Sequence, residues 1–362
     1  MISQRIRSTT RLTLSALALA ALLPAADAGA EIIRKDDMLR GVTTTRAQCA
    51  AIAQAVWLTV YGKDYCVRYY VSTAGGEGHR PVVFLQGDYF GNLDPKSRTW
   101  KSPVEAADLD TANLQRMADA LSRRSKTTAI YLGRIGVEGT SGNHTSRKTV
   151  LELNLMNRAL DAIKQRHGFA GFHMVGQSGG SKLVGGLVGL RNDVACAVVG
   201  SGPMTAPGSP PRTDPTEAFF NVIESIPAFA RNPSLRLMVV SDPADKIVPI
   251  AMQTGFVDKM RQAGRPVPQF LVEATDNNHH GVVAYAHLVA AGCVLGKSDA
   301  EIARAASTMT ARAAEINQQK INEARARASI VSRHHQPGST PASTNPTNTS
   351  RGGRAATPRT GA

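Results

Sequence analysis

Between about Cys66 and Cys293 the chain alternates short, β-rich apolar runs with longer stretches of helical periodicity. The runs Cys66–Ser72, Pro81–Gln86, Thr127–Gly133, Phe172–Gly176, Val194–Gly200, Leu235–Ser241 and Gln269–Ala274 predict strands. Most are almost continuously apolar, the pattern of strands buried on both faces of a parallel sheet. The intervening stretches Pro103–Arg123, Ser146–Gln165, Gly179–Leu190, Thr216–Ala230, Ala251–Ala263 and Val282–Leu295 predict helices. Regular strand–helix alternation implies a doubly wound α/β domain over residues 66–296, with a mostly parallel sheet flanked by helices. Residues 29–65 read as a helical lead-in. The Pro-rich segment 203–233 reads as a small cap inserted in the domain.

The pattern changes at both ends. Arg5, Arg7 and Arg11 precede an apolar run from Leu12 to Leu23, which exits through Ala26-Asp27-Ala28. A basic segment, a short apolar segment and a small-residue exit predict a secretory signal peptide over residues 1–28. The apolar run falls well short of the roughly twenty residues a spanning helix needs. After Gly296, Ser298 with Glu301 three residues on has the capping-box pattern, and an Ala/Arg/Glu-rich helix is expected over 297–332. Ile302, Met309 and Ile316 recur every seven residues, but Ile321 breaks the register, so a helix packed on its own domain or a solvated extension is favoured over a coiled coil. The last stretch, 333–362, is Pro, Ser, Thr, Gly and Arg with almost no bulky apolar residue. It is expected to be disordered.

Composition changes this picture little. Hydrophobic residues make up 42% and charged residues 19%, enough for a substantial core. The net charge is +14, but part of it lies in the leader and the tail. No basic stripe interleaved with aromatics appears, so no nucleic-acid partner is expected. Weak contact of the basic tail with an anionic envelope surface is the one electrostatic partner expected. An exported protein tolerates disulfides, and Cys49, Cys66, Cys196 and Cys293 are even in number. Three pairings are open; the sequence-local Cys49–Cys66 is favoured over Cys196–Cys293, because Cys196 on a buried strand also reads as a free core residue. No Cys or His spacing matches a metal site, and no cofactor is expected.

The chemistry gathers around Gly176-Gln177-Ser178-Gly179-Gly180, a match to G-x-S-x-G. With Gly at 32 of 362 positions, roughly 0.2 such matches arise by chance, so the flanking pattern has to decide. Phe172–Val175 reads as a strand entering the motif and Ser181–Leu187 as a helix leaving it. A nucleophile on so tight a turn needs small residues two positions to either side, which Gly176 and Gly180 provide. A serine hydroxyl also needs a base, and the base an orienting acid. Downstream, one strand ends in Ser241-Asp242-Pro243-Ala244-Asp245-Lys246-Ile247-Val248-Pro249, and the next empties into Asp276-Asn277-Asn278-His279-His280-Gly281. Acid and base both follow strands, at the edge where open α/β sheets place ligands.

On these motifs, residues 66–296 resemble the α/β-hydrolase superfamily. The resemblance implies a Ser178–His280–Asp245 triad, with Asp242 and His279 as alternatives for acid and base. It also implies an oxyanion hole made by the amide of Gly179 and an amide of the Gln86-Gly87-Asp88-Tyr89 loop, where Asp88 is favoured over Tyr89. Many members carry His-Gly where this chain has Gln86-Gly87. A carboxylate at 88 would oppose an oxyanion unless it points away. The Gly-rich loop after Leu132 offers Arg134, His144 and Arg147 as anion-binding groups for substrate, or is a flexible surface loop. The implied activity is that of a secreted or periplasmic serine hydrolase acting on a small-molecule or peptide acyl substrate, with an ester favoured. The alternatives are a peptidase of the prolyl-oligopeptidase-like branch and a non-catalytic envelope-binding protein that keeps the fold.

Overall fold

The computed structural model describes residues 31–90, 94, 107–208 and 214–334. The leader expected over 1–28 lies outside them, as do residues 335–362 of the expected tail, residues 103–106 of the first predicted helix and residues 209–213 of the expected cap. Among the described residues there are ten strands: β1 (Ile32–Ile33), β2 (Ala55–Val60), β3 (Lys63–Ser72), β4 (Val82–Leu85), β5 (Leu109–Asp110), β6 (Ala129–Leu132), β7 (Phe172–Gln177), β8 (Val194–Gly200), β9 (Arg236–Ser241) and β10 (Gln269–Leu271). The helices are α1 (Lys35–Arg40), α2 (Arg46–Ala50), α3 (Thr111–Ser125), α4 (Val150–His167), α5 (Gly179–Leu190), α6 (Ile226–Arg231), α7 (Ala251–Gln262), α8 (Val283–Val294) and α9 (Asp299–His334). The chain divides into two compact units, Met1–Thr310 and Ala311–Ala362. All strands lie in the first, and the described part of the second is the continuation of α9.

Eight strands form one sheet in the order β10-β9-β8-β7-β4-β6-β3-β2. From β10 to β6 every neighbouring pair is parallel; β6–β3 and β3–β2 are antiparallel. Val82–Leu85, Ala129–Leu132 and almost all of Phe172–Gln177 are buried, as near-continuous apolar runs require when helices cover both faces. One face packs Leu155, Leu160, Leu183, Leu187 and Phe256 from α4, α5 and α7. The other packs Leu114, Leu121, Tyr285, Val289 and, from the start of α9, Ile302 and Ala306. The first turns of α9 thus belong to the domain core.

The lead-in departs from the helical expectation. Its residues 55–60 form β2, and β3 starts at Lys63, three residues before the predicted strand. Tyr61 and Gly62 connect them with φ of 50° and 73°, the two left-handed residues of a type I′ hairpin turn. Thr59, Lys63 and Asp64 are exposed at this sheet edge, so half of the hairpin shows no apolar run. Of the expected cap, Thr216–Ala230 is not one helix but two 3₁₀ turns, Pro215–Glu217 and Val222–Ser225, followed by α6. Asn221 caps the second turn by accepting from Ile223 N–H, and Pro227 sits in the first turn of α6, where its missing N–H costs nothing. Both disulfides form: Cys49–Cys66 ties the end of α2 to β3, and Cys196–Cys293 ties β8 to α8.

Candidate active site

Strand β7 runs into α5 through Ser178, whose φ of 54° and ψ of −120° lie outside the regions L-residues ordinarily occupy. Such a conformation costs on the order of 1–3 kcal/mol and persists only where the surroundings enforce it. Here Ser178 N–H donates to Gly200 O at 2.8 Å, and Ser178 O accepts from Ser181 N–H at 3.0 Å. Ser181 Oγ exchanges two hydrogen bonds of 2.8 Å with the backbone of Gly200, clamping the first turn of α5 to the end of β8. The small neighbours are required by contact. A methyl group on Gly176 would lie 2.6 Å from the carbonyl carbon of Gly180, and one on Gly180 would run into the carbonyl of Leu85.

Two histidine–aspartate pairs stand on the loops that follow β9 and β10. His280 Nδ1 lies 2.9 Å from Asp245 Oδ2 and 3.1 Å from Oδ1. Asp245 Oδ1 also accepts from the amides of Ile247 and Val248, each at 2.9 Å, and its side chain is fully buried. His279 Nδ1 lies 3.0 Å from Asp242 Oδ2, which also accepts from Ala274 N–H at 2.7 Å. Asp276 shapes the histidine loop by accepting from the amides of Asn278, His280 and Gly281. His279 itself has φ of 54°. Gln177 Nε2 donates to the carbonyl of His280 at 3.0 Å, tying that loop to the residue before Ser178. The pairs are therefore not equivalent: the backbone of His280 is fastened to the serine turn, whereas the carboxylate beside His279 braces β9 against the chain leaving β10.

The loop after β4 lies against the same turn. A methyl group on Gly87 would come within 3.1 Å of Ser178 Cβ. Among the described residues the amides of Gly87, Asp88 and Gly179 donate to no protein acceptor. The Asp88 carboxylate sits against Gly179, where a methyl group would strike Oδ1. It is held by three cations: Arg134 Nη1 on Oδ1 at 2.9 Å, and Arg147 Nε at 3.0 Å and Lys148 Nζ at 2.5 Å on Oδ2. Burial alone would raise this carboxyl; Lys148, Arg134 and Arg147 outweigh it and keep it well below the usual range.

The glycine-rich loop that supplies these cations is not a flexible surface loop. Arg134 is completely buried, forms a bidentate pair with Glu152 through Nε and Nη2 at 3.0 Å each, and donates to Gln86 O. Burial works against its charge, but Glu152 and Asp88 more than compensate and raise its pKa. His144 is also fully buried, with Nδ1 2.9 Å from Ile135 O; burial and then Arg134 drive its pKa far below the ordinary histidine value. Arg134 and Arg147 therefore face Asp88 and His144 faces backbone, because an unpaired guanidinium could not stay in so dry a place. Tyr89 donates to Glu138 Oε1 at 2.8 Å, and Glu138 also accepts from Tyr131 and from Arg134 N–H.

Glu138, Lys148, Glu152, Gln177, Ser181 and Lys182 are site residues that sequence reasoning passed over. Two had a signal. Thr149 with Glu152 three residues on is a helix-start pattern, and Lys182 is the single charge in the apolar helix Gly179–Leu190.

A parallel sheet in this strand order, with its serine on a strained turn between β7 and α5 and its acid and histidine on the next loops at the same edge, decides the fold. The chain has the α/β-hydrolase fold. No protein-family model matches it, and no curated protein matches it in sequence. Among solved structures it is similar to an esterase of Pyrococcus furiosus, 11% identical over 74% of this chain and 97% of that one, with a TM-score of 0.47. It is also similar to Est1E of Butyrivibrio proteoclasticus, solved with ferulic acid, at 10% identity over 67% and 97%, TM-score 0.43. Against the acylaminoacyl peptidase of Pyrococcus horikoshii it is 11% identical over 64% of this chain, TM-score 0.42, and spans only 38% of that longer protein. None of these likenesses transfers an activity to this α/β-hydrolase chain.

Proposed function

We propose that this protein is a serine hydrolase that cleaves an ester through an acyl-enzyme, with Ser178 as nucleophile, His280 as base and Asp245 as its orienting acid. The observation that carries the reading is the strained Ser178 backbone at the start of α5, together with a histidine whose loop is tied to Gln177 and whose Nδ1 is already held by a buried carboxylate. In this reading the Nδ1 proton is fixed on Asp245, so Nε2 is the free base. It takes the Ser178 proton as Oγ attacks the carbonyl carbon, then returns it to the leaving alkoxide. Water repeats the sequence in reverse and frees the acid. The amides of Gly179 and Asp88 receive the oxyanion, helped by the positive end of α5. The Asp88 side chain does not oppose this, because three cations neutralise it. Its amide, not that of Tyr89, is assigned the donor role by the fit of Gly87 against Ser178.

The reading favours His280 over His279, because Gln177 fastens the backbone of His280 to the serine turn. Export is part of the proposal. The two disulfides suit an oxidising compartment, and among the described residues no helix is long and apolar enough to cross a membrane. Hydrolysis of methyl butyrate followed by pH-stat tests the chemistry: Ser178→Ala should lower kcat by roughly 10³-fold or more. Undiminished turnover in that variant would rule the nucleophile out.

A further inference from the structure

Among the described residues, Lys182 is the one cation around Asp88 that contacts no carboxylate. It lies in the first turn of α5, its amide 3.3 Å from Ser178 O, and only 3% of its surface is exposed. Arg134 has Asp88 and Glu152, and Arg147 and Lys148 have Asp88. Among the described residues Lys182 has no ion pair and no side-chain hydrogen bond; its ammonium lies 5.3 Å from the centre of the Phe220 ring. An aromatic face repays only part of the cost of taking an ammonium out of water. A buried amine with so little compensation marks a place prepared for an anion that arrives with a ligand.

The surroundings point the same way. Phe220 N–H donates to Lys148 O at 3.4 Å, so the ring beneath Lys182 rides on the residue whose Nζ holds Asp88. Lys148 has a left-handed backbone, φ 61°, fixed by its own N–H donating to Glu152 Oε2 at 2.5 Å. Its side chain remains a quarter exposed, unlike those of Arg134 and Arg147. Burial and then repulsion from Lys148 push the Lys182 amine down to about 8 against a smaller pull from Asp88, so it is still mostly charged at neutral pH and would gain from a further negative neighbour in contact with it.

We propose that Lys182, supported by Lys148, binds a carboxylate carried by the substrate within a few bonds of the scissile carbonyl, so that the preferred substrates are monoanionic esters. The choice of a monoanion follows from Lys182 being the single cation of the four that contacts no carboxylate. This inference rests on the hydrolase reading, with Ser178 as the reacting group beside the cation.

The test uses the whole secreted chain. Two pairs of esters matched in length are compared by kcat/KM at pH 7: monomethyl succinate against methyl butyrate, and carboxymethyl butyrate against ethyl butyrate. At least one anionic ester should be preferred tenfold or more, and Lys182→Met should lower that preference at least tenfold. If the variant does not fold, the wild-type ratios decide alone: neutral esters used as well as both anionic ones overturn the proposal. Calorimetric titration of Ser178→Ala with succinate reads the anion site without turnover. Succinate binding that disappears when Lys182→Met is added supports the site even if the protein hydrolyses nothing, in which case only the hydrolase reading falls. An active enzyme with no succinate binding and no anionic preference keeps the hydrolase reading and removes the anion site.

Discussion

Asp88 illustrates how far a residue's meaning depends on its neighbours. In the sequence it stands where a carboxylate would repel an oxyanion; in the fold it is the counter-ion that allows Arg134, Arg147 and Lys148 to be packed together against the start of α5. Removing its charge takes the shared carboxylate away from Arg134, Arg147 and Lys148. Asp88→Asn should therefore lower the unfolding free energy by about 3 kcal/mol, the low end for breaking a buried pair because Lys148 is partly exposed. Urea denaturation at pH 7 measures this, and a change below about 0.5 kcal/mol would mean that the network contributes little. At this scale the serine motif and its small neighbours were legible, because a tight turn restricts residue types locally. Lys148 and Glu138 were not, since their roles depend on partners brought together by folding, and Lys182 showed only as a lone charge in an apolar helix. Arg134, His144 and Arg147 were singled out as anion-binding groups; in the fold Arg134 and Arg147 hold the Asp88 carboxylate and His144 is buried with Nδ1 on the carbonyl of Ile135.

At the level of elements, the apolar runs located the parallel strands closely, and the helix Gly179–Leu190 has the bounds its pattern predicts. Runs buried on both faces carry a strong signal. The β2–β3 hairpin carries a weak one, because an edge strand alternates apolar with polar residues and its turn is Tyr-Gly instead of the usual Asn-Gly. The second disulfide was the less favoured pairing because nothing in the sequence brings Cys293 to Cys196; the packing of α8 against β8 does so. That bridge spans 97 residues, and closing so long a loop restricts the unfolded chain strongly. Replacing Cys196 and Cys293 together by Ala should cost about 3 kcal/mol by thermal or chemical denaturation. Equal stability of the variant and the oxidised parent would show that the bridge is dispensable.

For the molecule as a whole, the net charge of +14 describes solubility and surface contacts more than the site, which is balanced by its own carboxylates up to Lys182. Stability in acid has a different origin. His287 is buried against Phe84, and burial followed by Arg124 pushes its pKa down to about 3; burial followed by Arg80 pushes His173 down to about 4. Both folded-state values lie below the unfolded value of 6.5, so the unfolded chain takes up protons first as pH falls. Their contribution is complete above pH 6.5 and is lost progressively toward pH 4 and 3. Unfolding free energy should drop by about 5 kcal/mol between pH 7 and 4.5, roughly half from each histidine, and His287→Leu should flatten the dependence. A parent protein as stable at pH 4.5 as at pH 7 would contradict this.

The reading of the site stands on an activated Ser178. Purified protein exposed to a fluorophosphonate, with the adduct mapped by mass spectrometry, addresses this directly when His279→Ala and His280→Ala are labelled alongside. Ser178 should carry the adduct in the parent, react roughly 10³-fold more slowly in His280→Ala, and lose less than about tenfold in His279→Ala. A folded parent that stays unlabelled, or labelling that survives in His280→Ala and vanishes in His279→Ala, would contradict the triad proposed here.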